Sequence, residues 1–329
     1  MYNVAYVPID KRWEKNEMFN LDSKSNDNSI FMRYAVLRDY LRERDINLNT
    51  FDTYKYTSEI NVWIVADPFK GIKRTALSVF KNRFIPRRSV LLMIEPPVVD
   101  FWGWFLLPFY RFLFGATLTW NTKLAKKKKC FHYFLPPVLD EKKNEEYRKS
   151  EKKSLAVSIH SNKSSKIPGE LYSFRRKIVE YFEEKNDGNF ELFGWGWSRG
   201  AYPNVYKETT DDKLKTISEH WFNFCIDNSL EYGYITYDLF LSIAVGTVPV
   251  YLPMRDTSEY VPLDVYVDLS KFPDLSKLTD YLLALKGTEE YKAYLRRGLN
   301  FLKSEKFKPF TIEVYCENFY KAIWSIIKK

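Results

Sequence analysis

The sequence predicts an α/β protein of two Rossmann-like domains, and three observations carry that prediction. Short apolar runs recur without polar alternation and end in polar or proline-bearing loops, as strands buried on both faces of a parallel sheet do. Segments of helical periodicity separate these runs. The alternation occurs twice, on either side of the almost wholly charged stretch Leu139–Lys153, LDEKKNEEYRKSEKK. A chain of 329 residues has room for two cores of ordinary domain size.

In the first domain, residues 1–140, Tyr2–Val7 reads as a strand. Ile30–Asp45 reads as a helix with Phe31, Tyr34, Leu37 and Leu41 along one face. Asn61–Ala66 and Ser89–Ile94 are buried strands, the first ending at Asp67 and the second at Glu95-Pro96-Pro97. Residues 141–153 show no apolar periodicity and are expected to form a charged linker. In the second domain, 154–307, Ser154–Ile159 is a strand, Pro168–Glu184 a helix opened by its proline, and Phe190–Phe193 a strand ending in Gly194-Trp195-Gly196-Trp197. Asp211-Asp212 is placed to cap a helix containing Leu214 and Ile217. Val265–Leu269 and Leu275–Leu285 follow as strand and helix, and residues 308–329 as an amphipathic helix carrying Phe310, Val314, Phe319 and Ile323.

The most informative stretch is Trp221–Tyr251, WFNFCIDNSLEYGYITYDLFLSIAVGTVPVY. A strand at Phe222–Ile226 enters the polar loop Asp227-Asn228-Ser229 and a glycine turn at Gly233. A helix is expected to open at Tyr234-Ile235-Thr236 with Leu239, Ile243 and Val245 inside; Gly246-Thr247 stops it, and Val248–Tyr251 begins the next strand. Open α/β sheets bind ligands at loops of this kind, past the carboxyl ends of their strands. Backbone amides there, with the Thr236 hydroxyl, suit an anion and a ribose. The plainer alternative is that these residues only cap and turn the chain.

Composition narrows the functions further. A net charge of +9 favours an anionic partner. The only basic run is Lys126–Lys129, and no nucleic-acid-binding signature occurs, so nucleic acid is not expected as a partner. Three cysteines (Cys130, Cys225, Cys316) and three histidines (His132, His160, His220) lie scattered, which argues against a disulfide framework and a metal site. No apolar run reaches the roughly 18 residues of a membrane-crossing helix, and no signal peptide is seen, so a cytoplasmic location is expected.

Trp221–Tyr251 resembles the donor-binding motif of the α-1,3/α-1,4-fucosyltransferases, glycosyltransferase family 10. That motif reads phenylalanine, four residues, glutamate–asparagine–serine/threonine, then glycine–tyrosine–valine/isoleucine–threonine–glutamate–lysine. Its helix ends in glycine–x–valine/isoleucine–proline–valine/isoleucine–tyrosine. The resemblance implies a GT-B-like arrangement, two Rossmann-like domains facing a central cleft, the first on the acceptor side and the second binding a nucleotide-sugar. It implies inverting transfer of fucose or a related sugar from a nucleoside diphosphate donor, GDP-fucose above all, to a glycan hydroxyl, with no metal and no cofactor. A catalytically inactive nucleotide- or glycan-binding relative is the alternative.

Transfer of this kind needs a base for the acceptor hydroxyl, positive charge for the departing diphosphate, and groups that align nucleotide and sugar. Glu95 is the candidate base. It stands at a strand mouth before two prolines that keep the loop extended, and IEPP resembles the family's glutamate–serine–proline stretch. A loop carboxylate paired with a surface lysine is the alternative. Arg175 is the candidate phosphate ligand, because the family places an arginine early in this helix with apolar residues three, four and seven positions on, here Ile178, Val179 and Phe182. Asn228, Ser229, Tyr234 and Thr236 match donor-binding positions, Tyr234 the family's nucleotide-contacting tyrosine, and Asp227 replaces a glutamate. Tyr237 and Asp238 stand where the family has the glutamate that grips the ribose and the lysine that supports the phosphate. Asp238 is therefore expected to take over the ribose, and the missing cation to come from Arg175, Arg176, Arg199, Lys207 or Arg255. Trp195 and Trp197 are candidates for stacking on a sugar ring, with core packing the equal alternative.

One segment falls outside this scheme. Phe101–Phe114, FWGWFLLPFYRFLF, is too short to span a bilayer and is interrupted by Pro108. Eleven of its fourteen residues are aromatic or aliphatic, and the lysine run lies just beyond. An anionic membrane surface is thus an expected further partner, with the protein peripheral on the inner membrane face; a core-packed segment is the alternative.

Overall fold

The computed structural model describes residues 1–21, 28–67 and 86–329. The chain divides into two compact units, one of Met1–Val138, Tyr232–Tyr234 and Pro309–Lys329, the other of Leu139–Glu231 and Ile235–Lys308.

Among the described residues, the first unit is built on six strands: β1 (Tyr2–Val7), β2 (Ile46–Thr50), β3 (Val62–Ala66), β4 (Ser89–Met93), β5 (Ala116–Thr119) and β6 (Cys130–His132). Their order is β2-β1-β3-β4-β5-β6, and every pairing is parallel. All residues of β3, β4 and β5 are buried, which is why β3 and β4 read as unbroken apolar runs. β2 is not legible in the sequence. It is an edge strand whose Ile46, Leu48 and Thr50 are buried while Asn47 and Asn49 are only half-buried, and asparagine is a poor strand former. Helix α1 (Asn28–Arg42) buries Phe31, Tyr34, Leu37 and Leu41, the face its periodicity predicts. The last helix, Ile312–Ile327, begins after Pro309 with Thr311 as its cap and adds Tyr315, Cys316, Phe319 and Ile323 to the same core. The aromatic segment forms two short helices, α2 (Phe101–Phe105) and α3 (Leu107–Leu113). They break at Leu106, with Pro108 in the first turn of the second, where a missing amide costs nothing. A further short helix, α4 (Thr122–Ala125), precedes the lysine run.

The second unit has five parallel strands, β7 (Ser154–Ile159), β8 (Phe190–Phe193), β9 (His220–Cys225), β10 (Val248–Tyr251) and β11 (Val267–Asp268), in the order β11-β10-β9-β7-β8. The chain leaves β7 for β8 on one side and returns for β9 on the other, so the direction of winding switches between β7 and β9. Loops past the carboxyl ends of two such strands diverge and leave room for a ligand.

The expected linker at 141–153 belongs inside this unit instead. Its charges hide a helix, α5 (Glu141–Tyr147), capped by Asp140, with Asn144 and Tyr147 buried and the Tyr147 hydroxyl donating to Asp212. Lys152 is half-buried, and its Nζ donates to the carbonyls of Ser218 (2.8 Å), His220 (2.8 Å) and Gly246 (2.9 Å) and to Thr247 Oγ1 (3.2 Å). A lysine whose aliphatic stem packs inward while its ammonium gathers carbonyls looks like a surface charge in one dimension. Helix boundaries also move: α6 covers Tyr172–Lys185, four residues after Pro168. Asp212 caps α7 (Lys213–Ser218) as expected, accepting from Lys215 N. The helix expected from Tyr234 is α8, Asp238–Ala244, because Tyr232–Tyr234 belongs to the first unit. Helices α9 (Leu275–Leu285) and α10 (Glu289–Leu302) complete the unit, whose core stacks Phe182 on Phe190 at 4.4 Å.

Replacing Lys152 by Met keeps the stem but removes the donor to the Ser218, His220 and Gly246 carbonyls, of which that of His220 keeps another partner, the Thr247 hydroxyl, so we expect the second unit to lose about 1–3 kcal/mol of stability. Urea titration followed by circular dichroism checks this; an unchanged midpoint would show that water replaces the ammonium without loss.

Candidate active site

At the switch point of the second unit, polar side chains collect around the end of β9. Asp227 is buried, its Oδ1 accepting the Thr236 hydroxyl and its Oδ2 the Tyr251 hydroxyl at 3.0 Å. Burial raises its pKa, the two hydroxyls offset this only in part, and the carboxyl titrates at about 7. Arg175, reaching across from α6, donates from Nε (3.0 Å) and Nη2 to the Ile226 carbonyl and from Nη2 to Asn228 Oδ1 (3.1 Å). Asp238, in the first turn of α8, accepts from Lys213 Nζ at 2.6 Å, and that ammonium lies 5.8 Å from the centre of the Tyr237 ring. Burial works against the ammonium, but Asp238 and Tyr237 outweigh it and lift the Lys213 pKa above its ordinary value. His160, just past β7, is held neutral: burial, then Arg175 and Lys213, push its pKa well below the usual histidine range. Two permanent cations from separate helices, a neutral imidazole and a set of carboxyl and hydroxyl groups therefore share one strand-end region. That combination suits a phosphorylated, hydroxyl-bearing ligand.

In the first unit, the half-buried Glu95 lies just past β4 on a backbone held from every side. The carbonyls of Met93, Ile94 and Glu95 accept from Tyr133 OH (2.7 Å), Trp120 Nε1 (2.9 Å) and Trp104 Nε1 (2.9 Å). The amides of Ile94 and Glu95 both donate to Asp67 Oδ1 at 2.9 Å. Asp67 is fully buried at the end of β3, and its Oδ2 has no hydrogen-bond partner among the described residues. Burial raises its pKa to about 7, against the pull of the two amides. A carboxylate presented at a position fixed by five side-chain hydrogen bonds has the rigidity a general base requires.

The sequence profile of glycosyltransferase family 10 (fucosyltransferase), C-terminal part, matches residues 149–319, just over half of the chain. The chain belongs to glycosyltransferase family 10. Mouse 4-galactosyl-N-acetylglucosaminide 3-alpha-L-fucosyltransferase 9 is 31% identical to it over 119 residues, and the human enzyme of that name 30%. The match spans 35% of this chain and 32% of each of those relatives, about a third of their length. Among solved structures, an alpha1,3-fucosyltransferase superposes with a TM-score of 0.58 at 15% identity, covering 98% of this chain and 90% of that one. T4 phage BGT, solved with UDP and Mn2+, superposes with a TM-score of 0.54 at 14% identity over 98% of this chain and 99% of its own. These likenesses show the fold, the two-sheet α/β architecture of the GT-B glycosyltransferases.

Of the expected donor-site residues, Arg175, Asn228, Thr236, Tyr237 and Asp238 lie together past the end of β9. Others do not. Ser229 is fully buried, paired through its backbone with Glu170, and its hydroxyl finds no partner among the described residues. Tyr234 is buried in the core of the first unit, its ring 4.6 Å from that of Trp120. Gly233 makes this possible: at φ +76° a side chain would be strained, and its Cβ would run into the Trp120 carbonyl. The two candidate stacking indoles also part company. Trp197 is core, 7% exposed and donating from Nε1 to the His160 carbonyl at 2.6 Å, whereas Trp195 is 74% exposed. The glycines at 194 and 196, both at positive φ, turn the chain between them so that no extended stretch presents both rings together.

The cation beside Asp238 is also not among those expected. Arg176 donates to the Lys163 carbonyl and Arg199 pairs with Glu208, while the partner of Asp238 is Lys213. Lys213, His160, Tyr251 and Asp67 are not legible as site residues in the sequence. The signal available for Lys213 is its place directly after the Asp211-Asp212 cap, which puts it in the first turn of a helix ending near β9.

Asp67 and Asp227 each hold a proton in the folded state that the unfolded chain releases near pH 4. Their contribution to stability is therefore full below that value and disappears as pH rises through about 7. We expect the unfolding free energy to rise on acidification from neutral pH toward about pH 5, by up to about 1.4 kcal/mol per pH unit for each group. Asp67→Asn with Asp227→Asn should flatten that slope in urea titrations across the range; an unaltered slope would mean other groups carry it.

Proposed function

We propose that this chain is an inverting, fucosyltransferase-like enzyme that moves fucose or a related sugar from a nucleoside diphosphate donor to a glycan hydroxyl. The observation that carries the reading is the Lys213–Asp238 pair beside Arg175 and Asp227, at the switch point of the unit matched to family 10. In this reading the charges of the family motif are kept but redistributed. Lys213, from α7, supplies the cation that the resemblance places at position 238, and balances the charge that builds on the departing diphosphate. Asp238, with the Asp227–Thr236 pair, takes the ribose hydroxyls. Arg175 keeps the Ile226–Asn228 turn in shape and adds its charge from behind.

Glu95 takes the proton of the acceptor hydroxyl as its oxygen bonds to the anomeric carbon and the sugar–phosphate bond breaks, in a single displacement that leaves a nucleoside diphosphate. With Lys213 and Arg175 carrying the positive charge, the scheme needs no metal ion and no cofactor. GDP-fucose is the first donor to try: the relatives carry fucosyltransferase names, and the alpha1,3-fucosyltransferase was also solved with GDP and with GDP-fucose. Tyr237, a neutral ring where the resemblance places a glutamate, favours one second reading, a relative that binds nucleotide or glycan without turnover.

Calorimetry with GDP and UDP, together with a transfer assay from GDP-fucose, separates these readings. Binding and turnover support the enzyme, binding alone the silent relative, and no nucleotide affinity removes both. Lys213→Met should weaken GDP binding at least about tenfold, the worth of one charge-assisted contact to phosphate, and leave guanosine binding unaltered. Equal losses for both ligands would assign Lys213 to packing. Glu95→Gln should lower turnover roughly 10²–10⁴-fold with GDP affinity retained; near-normal turnover would remove Glu95 from the chemistry.

A further inference from the structure

The first unit carries a second surface that the transfer reaction does not use. In α2 and α3, Gly103, Leu107 and Tyr110 turn inward, and Leu107 and Tyr110 pack with Phe114 against Val65, Leu91 and Met93. The outer side of the same two helices carries Phe101, Trp102, Phe105, Phe109 and Phe112, with exposures from 43% at Phe101 to 78% at Phe112. The rings of Phe101, Trp102 and Phe105 lie 5.5–6.0 Å from one another and so form one continuous cluster. Five aromatic side chains of about 150–250 Å² each, more than half exposed on average, together offer apolar surface on the order of 500 Å², the scale of the functional patches of soluble proteins.

The same unit carries a compact run of positive charge. Lys126, Lys127, Lys128 and Lys129 are all exposed. Leu124 of α4, just before them, packs against the core cluster that includes Leu107, Tyr110 and Phe114, and Arg111 of α3 meets Cys130, the residue just after them. The lysine run is thereby tied at both ends to the aromatic helix pair or its core. Exposed tryptophan and phenylalanine on one helix pair, with a compact basic cluster flanked by residues that touch that pair or its core, fit one kind of partner, a lipid surface that accepts rings at headgroup depth and bears negative charge. A protein groove would match the rings without needing four adjacent cations, and among the described residues no helix is long and apolar enough to cross the bilayer.

We infer that α2, α3 and Lys126–Lys129 dock this protein peripherally on an anionic membrane. The docking helices are tied to the Glu95 turn by the Trp104 Nε1 bond to the Glu95 carbonyl, so a glycan carried on a lipid would present its hydroxyl close to the face that holds the candidate base. Docking itself does not depend on the proposed transfer reaction.

The test is flotation of the full chain with vesicles of mixed phosphatidylglycerol and phosphatidylcholine, against phosphatidylcholine alone, at low and high salt. The wild type should float with the anionic vesicles at low salt and be released by high salt. Trp102→Ser, Phe105→Ser and Phe112→Ser together should abolish flotation. Lys126→Gln, Lys127→Gln, Lys128→Gln and Lys129→Gln together should lower anionic-vesicle partition at least about tenfold and remove its salt dependence. All seven positions are exposed, and circular dichroism with thermal melting confirms that the variants fold. Wild type left at the bottom with anionic vesicles overturns the proposal, as does an aromatic variant that floats like wild type. Self-association that the aromatic variant abolishes, without any flotation, overturns it in favour of a second copy of the chain.

Discussion

Parallel strands end inside a protein, and the peptide groups just past the last ladder pair have no strand to bond. Buried amides and carbonyls left in that condition are costly, so side chains must reach them. In this chain the residues that do so are also those that shape the candidate site. At the end of β4, Tyr133, Trp120, Trp104 and Asp67 satisfy three carbonyls and two amides, and Glu95 inherits a fixed position. At the end of β9, Arg175 satisfies the Ile226 carbonyl and holds Asn228. At the opposite ends of β9 and β10, Lys152 serves the carbonyls of His220 and Gly246 in the same way.

This requirement explains a division of labour among the charged groups of the second unit. An arginine committed to the Ile226 carbonyl is less available as a phosphate ligand than its place in the family pattern suggests. Lys213, paired with the carboxylate of Asp238, is held at the side of the strand ends without bracing the backbone there. The pair also reverses the local order of charge that the motif implies. An acid sits on the helix after β9, and the cation comes from the helix before it. Electrostatics tolerates such an exchange, because a diphosphate responds to the position of positive charge and not to the segment that supplies it.

Aromatic residues are likewise sorted by what their polar atoms can reach. Trp104, Trp120 and Trp197 are buried or half-buried with their indole N–H groups on backbone carbonyls. Trp102, Phe105 and Phe112 are turned to the outside of the first unit. Composition alone, rich in tyrosine, tryptophan and phenylalanine, does not distinguish the two groups. Burial with a satisfied donor marks a packing residue, and exposure sets the other rings apart from the core.

The repeated strand–helix alternation, most of the strands buried on both faces, the Asp212 cap and the family 10 motif along Trp221–Tyr251 are all legible in the linear chain. These features are local: apolar runs, helical periodicity, a capping side chain and an ordered motif are each written within a few residues of one another. The remaining features arise only when distant segments pack. β2 owes its place to an edge pairing with β1, and Lys152 its burial to carbonyls of residues 218, 220 and 246. Tyr234 joins the first unit's core because Gly233 can press against Trp120. Lys213 meets Asp238 across twenty-five positions of chain. Each depends on which strand lies beside which, and in a parallel sheet that order is set by crossovers whose packing no short window of sequence contains.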